Sequence, residues 1–451
     1  MNPELSVIVP VHNKASTLNR FLDAITEQTA LSGCEVIFVD DGSTDGSERI
    51  LQNLHDAEWA VVIQRSGRIG SAARSRNLAL RRASAETCLF LDPDVVFGST
   101  LFSSVLEALA VDKTAVLLLP VIGNSSSASV WPLLVRDAEG WEPMSNSQLM
   151  HWAGTQKSLS DFRLRLCRNR NGDLGHLPTP WTLCWSSGMA LSRTLALTTG
   201  GFNEELEKKG SEDIEFAYRL HLQGSHFRLL EQQPILHLPH SRDRSAEERL
   251  DRTHERQMLA LYPTREMELF CAFDGEHANV LYKILARIDG NFLQSLNDAL
   301  TPPPVIEHLG LPQDGVLSGA TPRWLLDATR PRNVISPVAS TPSGSLPLLG
   351  FALPFDDNSL PCAVLSGLWQ VLPERLACRV FAESLRVAAR SFLLKTTSDS
   401  LPSVPWPDRL LRLNDAPYWE RTHRISRSYF DYSMRLMGSS GSLSCYELTV
   451  V

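Results

Sequence analysis

Among the eight cysteines, at 34, 88, 167, 184, 271, 362, 378 and 445, there is no CxxC pair and no even ladder. That excludes a disulfide framework and a zinc ribbon, and leaves small core thiols, reduced, as in a cytoplasmic protein. Basic excess is also lacking: 51 acidic residues face 43 basic ones, for a net charge of -8. A nucleic-acid binder needs a basic surface, so no nucleic-acid partner is expected. The nearest candidate, with arginines at 163, 165, 168 and 170, reads as a solvated face. No apolar run approaches the ~20 residues of a membrane-spanning helix. The greasiest stretch, Thr114 to Val121, has strand length. A strand begins by Leu5, so no signal peptide and no membrane span are expected. What is present suffices for globular cores. The 451 residues are 43% hydrophobic, and at ~150 residues per domain the length predicts two or three domains.

The first 120 residues alternate strand and helix. Leu5–Val11 and Cys34–Val39 are short apolar runs suited to strands buried on both faces. Trp59–Ile63 and Thr87–Leu91 continue the series. Between them, Leu18, Phe21, Leu22 and Ile25 recur at helical spacing behind a candidate cap, Ser16, and residues 71–84 form a further helix. This order predicts an α/β fold with a mostly parallel sheet and right-handed crossovers. Ligands of such sheets bind outside the carboxyl ends of the strands. His12-Asn13, Asp40-Asp41-Gly42 and Asp92-Pro93-Asp94 all fall at those ends.

Alternation is lost over 122–180 and resumes at Trp181. Helices are expected at 212–222, 246–261, 270–288 and within 362–395, with strands over 225–237. Eleven of the 27 prolines fall between 301 and 361. Proline fixes φ and lacks a donor, so that segment is expected to hold neither regular helix nor inner strand. The expected division is 1–264 for the α/β domain and 265–451 for a mainly helical accessory region interrupted by prolines.

Three acidic clusters carry candidate chemistry. Asp40 and Asp41 can accept from a nucleobase and ribose, or merely shape an Asp-Gly turn. Asp92 and Asp94, one residue apart, can approach one hard divalent cation, Mg2+ or Mn2+, which would neutralise a diphosphate leaving group. Glu212 and Asp213 open a helix, where the dipole favours carboxylates; one of them can also be a general base. His237 and His240 follow a strand, and one imidazole can complete a metal shell.

These motifs occur in the order Pro10-Val-His12-Asn13, Val39-Asp-Asp-Gly-Ser-Thr-Asp45, Ser71-Ala-Ala-Arg74, Phe90-Leu-Asp92-Pro-Asp94, Gly200-Gly-Phe-Asn-Glu204 and Ser211-Glu-Asp-Ile-Glu-Phe216, with a final histidine. The chain over roughly 4–262 thereby resembles the family 2 glycosyltransferases of the GT-A fold. Its later part is similar to the branch of chondroitin polymerase and β-1,4-galactosyltransferase domains. The resemblance implies a nucleotide pocket of Pro10, His12, Asn13, Asp40, Asp41, Arg68, Arg74, Arg76 and Asp92. It implies Trp185, Ser187 and Gly188 at the donor sugar, and Asp94 with Asp92 and His240, or else His237, at Mn2+ or Mg2+. It makes Asp213 the base, with Glu212 orienting the acceptor. The implied reaction is inverting transfer from a UDP-sugar to a peptide, glycan or small-molecule acceptor. Two departures stand out: Arg74-Ser75-Arg76-Asn77 replaces the family's Arg-Asn step, and Lys209 stands where relatives often carry a tryptophan. The competing readings are a non-catalytic scaffold of the same fold and a nucleotidyltransferase. The first is opposed by the intact acidic motifs, the second by the lack of a glycine-rich, basic N-terminal loop.

Overall fold

The computed structural model describes residues 3–65, 70–123, 144–206, 210–238, 244–273, 275–285, 316–319, 333–335, 348–396, 432–440 and 443–450. The chain divides into two compact units, Met1–Asp251 and Arg252–Val451. Among the described residues no helix is long and apolar enough to cross a membrane.

The first unit is α/β. Its strands are β1 (Leu5–Val11), β2 (Cys34–Asp40), β3 (Ala60–Gln64), β4 (Thr87–Leu91), β5 (Val95–Phe97), β6 (Ala115–Leu118), β7 (Val121–Ile122), β8 (Gly188–Ser192), β9 (His226–Leu229) and β10 (Ile235–His237). Seven form one sheet in the order β3-β2-β1-β4-β8-β6-β9. β3, β2, β1 and β4 are mutually parallel, and β8 runs antiparallel to both its neighbours. The apolar run in β1 is explained by its place between two strands: Leu5, Val7, Ile8 and Val9 are all fully buried. The helix Ala15–Thr26 covers one face with Leu18, Phe21, Ala24 and Ile25. Phe21 meets the edges of Phe38 and Phe97, at centroid distances of 6.2 and 5.8 Å. Removing such a buried ring costs about 3–5 kcal/mol. Ser16 lies inside this helix and does not cap it; Lys14 takes the cap position without a side-chain bond.

A second, small sheet, β5-β10-β7, sits at the exit of the large one. Its register pairs His237 with Val95, the residue after the Asp92–Asp94 turn. The stretch 122–180, where alternation fails, contains the helix Asn146–Thr155. Ser145 and Gln148 start it with a reciprocal capping box.

The second unit contains the helices Arg265–Ala272, Gly275–Leu285 and Glu374–Val387. The single helix expected over 270–288 is two, because the backbone turns extended at Phe273. Beside the expected helices stands a six-stranded sheet that periodicity did not announce: β11 (Val316–Gly319), β12 (Asn333–Ile335), β13 (Ala363–Ser366), β14 (Ser391–Thr396), β15 (Tyr432–Ser440) and β16 (Leu443–Val450). The order is β12-β11-β13-β14-β16-β15, parallel from β12 to β14, then antiparallel. The expectation of no inner strand between 301 and 361 is therefore corrected, since β11 pairs on both edges. The prolines spare it: β11 fits between Pro312 and Pro322, and β12 between Pro331 and Pro337. Strand order reverses at β11, whose neighbours are β12 on one side and β13 on the other.

Candidate active site

The carboxyl ends of β1 and β2 are laced together. His12 Nδ1 donates to the Asp41 carbonyl at 2.9 Å, which leaves Nε2 to accept from Asn13 at 3.3 Å. Asn13 takes a left-handed φ of 53°, tolerable for a short polar side chain. From there its N–H donates to Ser43 Oγ at 3.0 Å, and its Oδ1 accepts from the Thr44 N–H at 2.8 Å. Asp40 accepts from the Ser43 N–H at 3.0 Å, which shapes the same turn. Asp41 is spent on structure: it accepts from Arg65 Nε at 2.6 Å and from the Ser71 N–H at 2.7 Å. It thereby fixes the start of the helix Ala72–Arg82. Pro10, half-buried, and the exposed His12 and Asn13 leave the end of β1 open to a ligand.

The acidic motifs meet around one arginine. Arg76, expected near uridine and phosphate, is only 1% exposed. One of its arms donates to Asp92 at 2.9 Å and the other to Glu212 at 2.7 Å. Glu212 also accepts from the Gly210 N–H at 2.8 Å. The turn after β4 and the start of the helix Glu212–Leu222 are thus tied through a buried guanidinium. Asn77 seals the neighbouring glycine loop by bonding both the N–H and the carbonyl of Phe202 at 2.8 Å. Gly201 is required there: its φ is +68°, and a Cβ would stand 2.5 Å from Asn77 Oδ1. Arg74 lies at the start of its helix, 3.8 Å from Glu204.

Asp94 is fully buried. Lys14 donates to its Oδ2 at 2.6 Å, and His237 Nε2 stands 3.7 Å from its Oδ1. The backbone fixes this approach, because the Leu238 N–H donates to the Asp94 carbonyl at 2.8 Å. Asp213 accepts from the Ser186 N–H at 3.1 Å and from its hydroxyl at 3.3 Å. Burial, the largest cause, pushes the Asp213 carboxyl up to about 6; the charge on Glu212 adds to this, while Arg76 and backbone N–H groups pull it down. Ser211, just before this pair, has a φ of +65° and provides no side-chain cap, a strained start for a helix.

Trp185 is half-buried, edge-on to Phe162 at 6.0 Å. Ser187 is half-buried beside it. Gly188 opens β8 where no side chain fits: a Cβ would come within 2.8 Å of Ile235 and 2.9 Å of Leu119. Arg68, Lys209 and His240 lie outside the described residues. Lys14 and Arg163 were not anticipated as parts of the site, nor was the bond from Ser186, within the stretch 185–188 expected at the donor sugar, to Asp213. Lys14 directly follows Asn13, so adjacency to a motif was the available signal. Arg163 had none.

The donor set fits a divalent cation. Asp92, Asp94, Glu212 and Asp213 gather four carboxyl groups against the two cations Arg76 and Lys14. Asp94 and His237 set a hard oxygen and an imidazole nitrogen 3.7 Å apart, a spacing two ligands of one ion can adopt. Among the described residues no group of three His, Cys, Asp or Glu side chains is already arranged around one point.

Residues 6–170 match the model of the family described as Glycosyl transferase family 2. Over that stretch the chain is similar to family 2 glycosyltransferases. It is also similar to curated relatives. Validoxylamine A glucosyltransferase of Streptomyces hygroscopicus subsp. jinggangensis is 30% identical over 245 residues, 54% of this chain and 57% of that protein. Chondroitin synthase of Escherichia coli is 29% identical over 231 residues, 50% of this chain and 33% of that protein. The chain thus spans about half, or less, of the length of these relatives. A solved structure, S. aureus TarS 1-349 in complex with UDP-GlcNAc, aligns at 18% identity and a TM-score of 0.45, over 66% of this chain and 80% of that one. Ser186, Glu212, Asp213 and His237 lie beyond the stretch that the family model matches.

Proposed function

We propose that the chain is an inverting, metal-dependent glycosyltransferase that moves a sugar from a UDP-sugar to a hydroxyl of a peptide, glycan or small-molecule acceptor. One observation carries the reading: buried Arg76 joins Asp92 of the DxD turn to Glu212 of the distant acidic helix, so the two motifs form one site. In this reading Pro10, His12, Asn13 and Asp40 border the nucleotide, with Arg68 and Arg74 toward the phosphates. Asp41 and Arg76 are positioning residues.

Asp94 and His237 would hold the cation, Mn2+ or Mg2+. When bound it would supply charge neutralisation for the departing diphosphate. Trp185, Ser187 and Gly188 face the donor sugar. Asp213 takes the proton of the acceptor hydroxyl as the oxygen bonds to the anomeric carbon and the bond to the diphosphate breaks. A single displacement of this kind inverts that carbon. With its carboxyl near 6, Asp213 is ionised at neutral pH yet more basic than an ordinary aspartate, which suits a general base. Glu212, held by Arg76 and the Gly210 N–H, is the less free of the pair and orients the acceptor. The second unit is assigned to acceptor choice, because every donor-side motif is in place by His237.

Calorimetric titration with UDP tests the assignment. Wild type should bind UDP in the presence of Mn2+ and lose that binding on chelation, and Asp94→Ala should not bind. Equal, metal-dependent binding by Asp94→Ala would remove Asp94 from the metal site.

A further inference from the structure

The arginine run at 163–170 is not uniformly a solvated face. Arg165, Arg168 and Arg170 are exposed, but Arg163 is fully buried. Its guanidinium grips Asp161 through Nε, at 3.1 and 3.0 Å, and through one terminal nitrogen at 2.6 Å. The terminal nitrogens also donate to the Leu183 and Leu119 carbonyls, at 2.8 and 2.7 Å. The group stacks 3.9 Å from the centroid of the Trp185 ring. Asp161 is equally committed, accepting from the N–H groups of Val121 at 2.7 Å and of Arg163 at 2.8 Å.

These bonds tie the step between β6 and β7 to the turn before Trp185. Leu119 follows β6, Val121 opens β7, and Leu183 ends the turn that leads into Trp185. The next residue, Ser186, gives both of its donors to Asp213. Stability alone is a poor reason for this arrangement, since a buried ion pair is often no better than apolar residues of the same volume. A planar guanidinium, however, can stack on an indole and bond in several fixed directions at once, which an ammonium cannot.

We propose that Asp161 and Arg163 are positioning residues that set the Trp185–Ser186 step, presenting the indole to the donor sugar while aiming the Ser186 donors at Asp213. The inference rests on the proposed function for what Trp185 and Asp213 do. The geometric part, that Arg163 sets the Trp185 ring, stands apart from it.

The experiment uses the full chain labelled with fluorotryptophan and read by fluorine NMR, with Trp185→Phe assigning the Trp185 resonance. Arg163→Lys keeps the charge but loses the plane. It should move and broaden the Trp185 resonance, leave UDP affinity unchanged, and lower kcat for UDP-sugar turnover at least ~10-fold, as a displaced reacting group does. Combined with Trp185→Phe it should cost little more than Trp185→Phe alone, because both act through one ring. An unmoved Trp185 resonance, unchanged kcat, or losses that multiply in the double variant would each overturn the proposal. If Arg163→Lys does not fold, Asp161→Asn removes the charge that anchors the guanidinium against the ring. It should shift the same resonance and lower kcat, and failure to do either overturns the proposal. If wild type turns over no UDP-sugar, the proposed function fails instead, while the Trp185 resonance in the variants still decides whether Arg163 sets the ring.

Discussion

Nε2 of His237 stands 3.7 Å from Oδ1 of Asp94, although His237 ends β10 and Asp94 lies in the turn before β5, far apart in the chain. The antiparallel pairing of β10 with β5 brings them together, with His237 opposite Val95. This register makes His237 a candidate imidazole ligand; His240, the first choice from family resemblance, lies outside the described residues. His237→Ala should weaken Mn2+-dependent UDP binding in calorimetry, and His240→Ala should leave it intact. The opposite pattern would move the ligand to His240.

Asp213→Asn keeps volume and polarity but cannot accept a proton. Turnover should fall at least ~100-fold, the low end for general base catalysis, with UDP affinity retained. If Glu212→Gln is the inactive variant and Asp213→Asn remains active, the two roles are exchanged.

Because burial and Glu212 raise the Asp213 carboxyl to about 6, kcat/KM should climb with pH through that value and level off above it. The same shift has a cost in stability. The folded state holds the Asp213 proton to higher pH than the unfolded state, whose ordinary value is 3.8, so stability falls as pH rises from about 4 through about 6. Asp213→Asn should therefore melt at a higher temperature than wild type at pH 7.5, with the gap closing by pH 3.5. A gap that widens on acidification would contradict the raised value.

The parallel half of the first sheet and the acidic turns at its strand ends were legible in the sequence. Leu5–Val11 and Cys34–Val39 are runs that only a strand covered on both faces explains. The role of Arg76 was not legible. Its partners lie 16 and 136 residues away, and no local pattern marks a buried guanidinium. Arg163 was hidden the same way, since the three exposed arginines after it make its neighbourhood look like surface. β11 was missed because composition was averaged over a whole proline-rich segment, while a four-residue strand needs only a gap between prolines.

Arg76→Met should show what that guanidinium holds. Removing one partner from a buried ionic cluster costs about 3–5 kcal/mol, since Asp92 and Glu212 would remain buried and uncompensated. Thermal unfolding should register the loss at pH 7, and the ascending limb of kcat/KM should move to higher pH as Asp213 loses a neighbouring cation. A stable variant with an unchanged pH profile would argue against the clamp.

Gly188→Ala tests the packing behind the donor-sugar wall. The new methyl would meet Ile235 at 2.8 Å and Leu119 at 2.9 Å. Overpacking of this kind costs about 1–3 kcal/mol, so a lowered midpoint in urea is expected. A midpoint equal to wild type would mean that β8 and β10 separate more easily than their contacts imply.

In the proposed function, one site assembled from the DxD turn, the acidic helix and His237 transfers a sugar with inversion and with metal. Proton NMR of the anomeric signals tests it most directly, on wild type given α-linked UDP-sugars and Mn2+, with water or supplied acceptors as nucleophile. UDP release with a β-configured first product is expected, abolished by chelation, by Asp94→Ala and by Asp213→Asn. An α-configured first product, or release that persists without metal and in Asp213→Asn, would contradict it.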